Sequence, residues 1–179
     1  MTQLIRWFAG VCVSFVAIVP MAQAVEVSEA DVKKTIQAFE QKDPSIKKHF
    51  KSAHGYAVFP DIGKTGVIVG GSGGDAAVYE RGKRIGTAEV SQLSIGAQVG
   101  IEHYREVIFF QNKAALDRFR ANKLEFDANA SAVIATSGAS SGASYRKGVL
   151  VVTSPISGAM LEAAVGGQKF TFHPMMKKK

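Results

Sequence analysis

The chain has 179 residues, 46% hydrophobic and 21% charged, with one cysteine and a formal net charge of +7. This is neither a disordered nor a collagen-like composition, and the length suits one domain whose core needs no disulfide or structural metal. A separate cofactor-binding domain does not fit, and beyond residue 24 nothing approaches the roughly eighteen consecutive apolar residues of a membrane-spanning helix.

Arg6 is the only charge before Glu26; an apolar run over residues 7–19 follows it, Pro20 breaks the run, and Ala22-Gln23-Ala24 comes next. A charged start, an apolar stretch and a small-x-small site make the layout of a secretory signal peptide, so cleavage is expected after Ala24. The alternative is an uncleaved anchor, for which the run is short. Cys12 lies inside the run without the small residue that a lipoprotein cut requires, so a lipid-modified amino terminus is not expected. Cleavage removes the only Cys and the only Trp. The mature chain then has no thiol for catalysis or metal binding, as suits an exported protein that does not rely on disulfides. The expected organisation is a signal peptide over 1–24, a domain over 25–174 and a basic tail over 175–179.

Ser28 with Asp31 reads as a capping box, and Val32, Ile36 and Phe39 recur at i, i+4, i+7, which predicts a first amphipathic helix. Asp43-Pro44 resets the chain as N-cap and first helical residue of a second, short helix, with Ile46 and Phe50 inward and Lys47, Lys48 and Lys51 outward. From Gly55 to Gly100, glycines punctuate runs rich in Val, Ile and Tyr, which predicts strands over 56–59, 66–69, 76–80, 85–90 and 93–101. The connections over 70–74 and 81–84 read as hairpin turns, short enough for antiparallel pairing. In the fifth run Leu93, Ile95, Ala97, Val99 and Ile101 alternate with small or polar residues, so Gly96 and Gly100 would admit the close approach of a strand, a helix or a ligand. A strand over 107–110 follows, then a helix capped by Asn112, with Leu116 and Phe119 inward, ending at Asn122. Residues 137–144 read as a small, polar loop, and strands are expected over 148–152, 156–165 and 169–172.

Four stretches then match one pattern together: Ala53-His54-Gly55-Tyr56-Ala57-Val58-Phe59-Pro60, Gly63-Lys64-Thr65-Gly66-Val67-Ile68-Val69-Gly70-Gly71, Val107-Ile108-Phe109-Phe110-Gln111-Asn112-Lys113-Ala114-Ala115-Leu116, and Gly166-Gly167-Gln168-Lys169-Phe170. In order and spacing, from about residue 29 to 172, the chain resembles the SYLF family in its small exported bacterial form. The resemblance implies a non-enzymatic domain that binds anionic lipid head groups, chiefly phosphoinositides in eukaryotic members, some of which also bind actin. It carries no binding motif that maps residue by residue onto this chain.

The remaining motifs favour no chemistry. Gly70-x-Ser72-x-Gly74 fits the letters of a nucleophile elbow, but that device needs a strand followed at once by a helix, and a strand follows here. Gly63-Lys64-Thr65 ends like a phosphate loop, yet Val58 stands where its first glycine belongs. Glu102-His103 with Glu106 suggests a metal set, but Glu102 and His103 alternate to opposite faces of a strand, and His49 and His54, five apart, are separated around a helix, so neither group has metal-ligand spacing. Asp117, Glu125 and Asp127, interleaved with Arg118, Arg120 and Lys123, read as a solvated surface, and Asn129-Ala130-Ser131 as an unused sequon.

Basic residues cluster more tellingly: Lys47, Lys48 and Lys51 on the second helix, Arg81, Lys83 and Arg84 in one turn, and the lysines at 177–179. Near an anionic bilayer each is worth about 1 kcal/mol, less with added salt. Nucleic acid is not an expected partner, since no aromatics for base stacking interleave the clusters.

The expected fold is α+β: a curved antiparallel sheet of about seven or eight strands, with amino-terminal amphipathic helices and one internal helix. The expected function is non-enzymatic, peripheral binding of anionic phospholipids in the bacterial envelope, with no cofactor, no metal and no membrane span. Lys47, Lys48, Lys51, Arg81, Lys83 and Arg84 are the expected head-group contacts. The alternative is a periplasmic structural or protein-interaction module with no specific lipid, docking an envelope protein and using its charges for solubility.

Overall fold

In the computed structural model, which describes residues 27–66, 69–95, 101–124, 126, 132–157 and 167–175, helix α1 (Glu29–Lys42) starts on Ser28, whose Oγ accepts from the Asp31 N–H at 3.1 Å. Val32 and Phe39 form its buried stripe. Asp43 ends it and caps the next segment, a tight 3-10 turn over Pro44–Ile46 that runs into helix α2 (Lys47–Ser52). Proline at the first position suits this start, because its missing N–H would have no partner there.

The sheet follows as β1 (Gly55–Gly66), β2 (Val69–Glu80), β3 (Lys83–Ile95) and β4 (Ile101–Phe110). Helix α3 (Lys113–Arg120) comes next, capped by Asn112 Oδ1 on the Ala115 N–H at 3.0 Å. Strands β5 (Val133–Ile134), β6 (Val149–Ser157) and β7 (Gln168–Pro174) complete one seven-stranded sheet in the order β5-β6-β4-β1-β2-β3-β7. All pairings are antiparallel except β5 with β6. The predicted α+β class and the two amino-terminal helices are therefore present, in a sheet that is mixed at one edge.

One expected turn and one expected loop differ in detail. Residues 70–74 are not a hairpin turn but the first half of β2, paired residue by residue with both β1 and β3. The glycine there serves a bulge: β1 shifts register around Pro60, between Val58 and Ile62, and brings Asp61 O and Ile62 so close that a Cβ on Gly74 would collide with them. The segments predicted separately over 56–59 and 66–69 are thus joined through that bulge. Residues 137–144 contain a short 3-10 turn at Ala139–Ser141. The signal peptide, Gly96, Gly100 and the lysines at 177–179 lie outside the described residues.

Alternating side chains give the sheet two apolar faces. One is covered by α1 and α2 and holds Val32, Phe39, Ile46, Val58, Ala77, Val107, Phe109 and Val152. The other is concave and holds Phe59, Ile62, Val78, Ile108, Phe110, Val151 and Phe170, with Leu116 and Phe119 of α3 packed into it. The sheet curls around this second face. Phe170 on β7 comes within 6.1 Å of Phe59 on β1, centroid to centroid, although β2 and β3 lie between them in the sheet. Phe119 stands 5.4 Å from Phe170 and joins the two walls.

Candidate functional site

The register decides where the basic residues go. Gly55 opens β1 and lies opposite Glu80 of β2 on one side and Phe110 of β4 on the other, and Phe110 lies opposite Val149 of β6. Four connections therefore meet at one end of the sheet: the exit of α2, the β2–β3 turn at Arg81-Gly82, the entry to α3, and the turn at Lys147-Gly148 before β6. The Arg81 N–H donates to His54 O at 3.0 Å, and the Gln111 N–H donates to Gly148 O at 2.9 Å. Arg81 and Lys147 adopt positive φ, 49° and 50°, beside glycines that do the same, so each turn projects its cation from a tight reversal.

This end carries Lys51, Arg81, Lys83, Lys113, Arg118, Arg146 and Lys147, all exposed. Lys113 is held by Asp117 at 2.6 Å, and Arg118 donates to Lys147 O. Lys51, Arg81, Lys83 and Arg146 have no ion-pair partner among the described residues. The local acids are engaged: Glu80 accepts from His54 Nε2 at 2.9 Å, and Asp117 faces Lys113 and Arg120. The Lys113 ammonium is the main reason the Asp117 carboxyl sits below its ordinary value.

The six residues singled out by sequence thus divide. Lys51, Arg81 and Lys83 point free at one sheet end, where α2 meets the β2–β3 turn. Arg84 is a structural tie: its guanidinium bonds Glu29 Oε1 and Val27 O, each at 2.9 Å, pinning the start of α1 to β3. Glu29 also accepts from Tyr79 Oη at 2.9 Å, and its carboxyl is lowered by the bonds from Arg84 and Tyr79. Lys48 donates to Ser141 O at 2.6 Å, and Lys47 stands 3.8 Å from Glu40, so these two work partly within the fold. Sequence reading missed Lys113 and Arg146, because only the β1–β4–β6 register places them beside Arg81.

The other motifs find ordinary roles. Ser72 sits within β2 with its hydroxyl on Gln92 Oε1 at 3.2 Å, and the strand continues to Glu80. His49 is buried, donating from Nε2 to Ser140 O at 2.9 Å, while His103 bonds Asp61 at 2.8 Å. Among the described residues no three His, Cys, Asp or Glu side chains are placed to hold a metal ion, and no helix is long and apolar enough to cross a membrane.

Residues 91–178 match the family model described as Ysc84, Las17-binding protein actin regulator. This is a SYLF domain match, and it covers just under half of the chain. Beta cell expansion factor A of Aeromonas veronii is 27% identical over 129 residues, covering 72% of this chain. The chain spans about half of that relative, 49% of its length. The SYLF match takes in β4, α3, β6 and β7, and so includes Lys113, Arg118, Arg146 and Lys147 of the basic end; α2 and the β2–β3 turn precede it.

Proposed function

We propose that this protein binds anionic phospholipid surfaces without catalysing a reaction, after export to the bacterial envelope, through the basic end of its sheet. Lys51, Arg81, Lys83 and Arg146 are the proposed head-group contacts, with Lys47, Lys48 and Lys113 adding to the local field. The observation that supports this reading best is the backbone bond from Arg81 N–H to His54 O, which joins two basic segments far apart in sequence. At about 1 kcal/mol each, four cations near an anionic surface supply about 4 kcal/mol, roughly a thousandfold in partitioning at low salt. That is peripheral, reversible attachment, and it weakens as salt shortens the Debye length.

The test is flotation with vesicles of phosphatidylcholine alone and of phosphatidylcholine mixed with phosphatidylglycerol. The proposal expects recovery with the anionic vesicles at low salt, release in high salt, and no recovery with the neutral ones. Equal recovery with both compositions overturns it.

A further inference from the structure

Glu106 is fully buried on the concave side of β4, opposite Phe59 of β1 and Thr153 of β6. Its one hydrogen bond among the described residues comes from across the curl: Gln168 of β7 donates from Nε2 to Glu106 Oε2 at 3.1 Å. Three strands, β1, β2 and β3, separate β7 from β4 in the sheet, so this bond spans the interior and does not follow the ladder. Glu106 Oε1 and Gln168 Oε1 are both buried, and among the described residues neither has a partner.

An ionised carboxylate cannot satisfy that arrangement. It only accepts, as does the amide oxygen, so two buried acceptors would remain unpaired, at a cost of about 1–3 kcal/mol each, more for the charged one. A carboxylic acid answers both needs. Its carbonyl oxygen accepts the amide N–H, and its hydroxyl donates to the amide oxygen.

The surroundings favour the neutral form. On β4, β1, β6 and β7 the inward neighbours are Tyr104, Ile108, Phe59, Ile62, Thr153 and Phe170, with Tyr104 the only titratable group among them. The other described charged or titratable groups of these strands, Asp61, His103, Arg105, Lys169 and His173, are exposed or half-exposed, and His103 is bonded to Asp61. Burial pushes the Glu106 carboxyl up to about 7, outweighing the opposing bond from Gln168.

We propose that Glu106 is a neutral carboxylic acid in the folded protein and that its O–H, donated to Gln168 Oε1, closes a two-bond ring latching edge strand β7 to β4 across the inside of the sheet. Loss of that proton to solvent removes the ring's one O–H donor and leaves a buried charge, so β7 opens more readily. The rest of its hold includes the ladder to β3, the packing of Phe170, the Phe172 N–H bonded to Asn122 Oδ1 at 2.8 Å, the Met175 N–H bonded to Ile85 O at 3.0 Å, and His173 Nε2 at 3.3 Å from Glu89 Oε1. Opening β7 uncovers Phe59 and Phe119, so the latch sets how often the concave core meets solvent as pH changes. This inference is independent of the lipid reading.

The folded protein binds the proton more tightly than an open one, in which the carboxyl has its ordinary value of 4.5. The latch is therefore complete below about 4.5 and lost as pH rises through about 7. Hydrogen exchange of the β7 peptide, corrected for intrinsic rates, tests this. The opening constant is expected to rise about tenfold per pH unit between those values, near three-hundredfold in all, and then level. Glu106→Gln, which keeps an amide ring in place of the acid, should make it flat with pH at the low-pH level. Wild-type β7 exchange that is flat with pH, or an unchanged slope in Glu106→Gln, overturns the proposal. Carbon-13 titration of the Glu106 carboxyl in the wild-type chain gives a second answer that needs no variant: a midpoint in the ordinary carboxylate range also overturns it.

Discussion

Asp43→Asn probes how the helical layer is tied down. Asp43 is fully buried, and its carboxylate accepts from Ser45 N–H at 3.1 Å and Ser45 Oγ–H at 2.6 Å, from Gly138 N–H at 3.2 Å, and from Ser140 N–H at 2.6 Å. One side chain thus caps the turn between α1 and α2 and straps residues 138–140 onto it. Burial by itself would raise this carboxyl, but the bonds from Ser45 and Ser140 outweigh it and hold the pKa at about 2. Asparagine keeps the shape but sets an N–H2 against one N–H donor, losing a charge-assisted bond and orphaning a buried amide, a loss of about 3 kcal/mol.

The pH dependence makes the prediction sharper. A carboxyl lowered from 3.8 to about 2 contributes stability that is complete above about 4 and is lost as pH falls through the folded value, about 2 kcal/mol by pH 2. Asparagine has no such dependence. Urea denaturation of both chains should show a difference of about 3 kcal/mol at pH 7, narrowing to about 1 kcal/mol at pH 2. A difference that stays constant with pH, or one below about 0.5 kcal/mol at pH 7, refutes the reasoning.

Phe170→Ala should cost about 3–5 kcal/mol in urea denaturation, because the ring packs against Phe59, Phe119 and Phe126 and joins both walls of the curl. Gly86→Ala should destabilise by about 2 kcal/mol or more: a Cβ there meets His173 O and lies 2.7 Å from Phe172 Cε2, forcing β7 off β3, and raised β7 hydrogen exchange would report it. Arg84→Ala should lower stability by about 1–2 kcal/mol through the lost ties to Glu29 and Val27, yet reduce vesicle recovery by less than Arg81→Ala does, which flotation of the two variants side by side would measure.

Local chemistry made much of this fold readable. Ser28 and Asn112 are helix caps because their side-chain oxygens reach a backbone N–H three residues on, and both act as the sequence suggests. The glycines over 70–74 misled because a glycine signals close approach as readily as a turn, and here the approaching group is a bulge in β1, a neighbour that only strand pairing reveals. Residues 137–144 read as a free loop because nothing nearby in sequence holds them. Their ties to Asp43 and His49 cross more than ninety positions.

The same division applies to the candidate site. Lysines and arginines are visible one cluster at a time, and the pattern of α2 shows that Lys51 faces outward. That Lys51, Arg81 and Arg146 share one sheet end follows from the β2–β1–β4–β6 register, which is set by pairing between distant segments. Arg84 looked equivalent to Arg81 because the two stand in one turn; the strand begins at Lys83 and turns Arg84 onto α1. In sequence Glu106 stood out only as a third member of a possible metal set with Glu102-His103; its burial follows from the curl of the sheet, which local sequence does not show.

The central claim is that cations gathered at one sheet end hold an anionic surface. Reversing Lys51, Arg81, Lys83 and Arg146 together to glutamate, in a chain whose urea midpoint stays close to the wild type's, tests it most directly by flotation with phosphatidylglycerol-containing vesicles at low salt. The account predicts that recovery falls to the level seen with phosphatidylcholine alone, while reversing four lysines elsewhere, Lys33, Lys34, Lys123 and Lys169, leaves most of it. Recovery undiminished by the first set, or equally diminished by both, would contradict it.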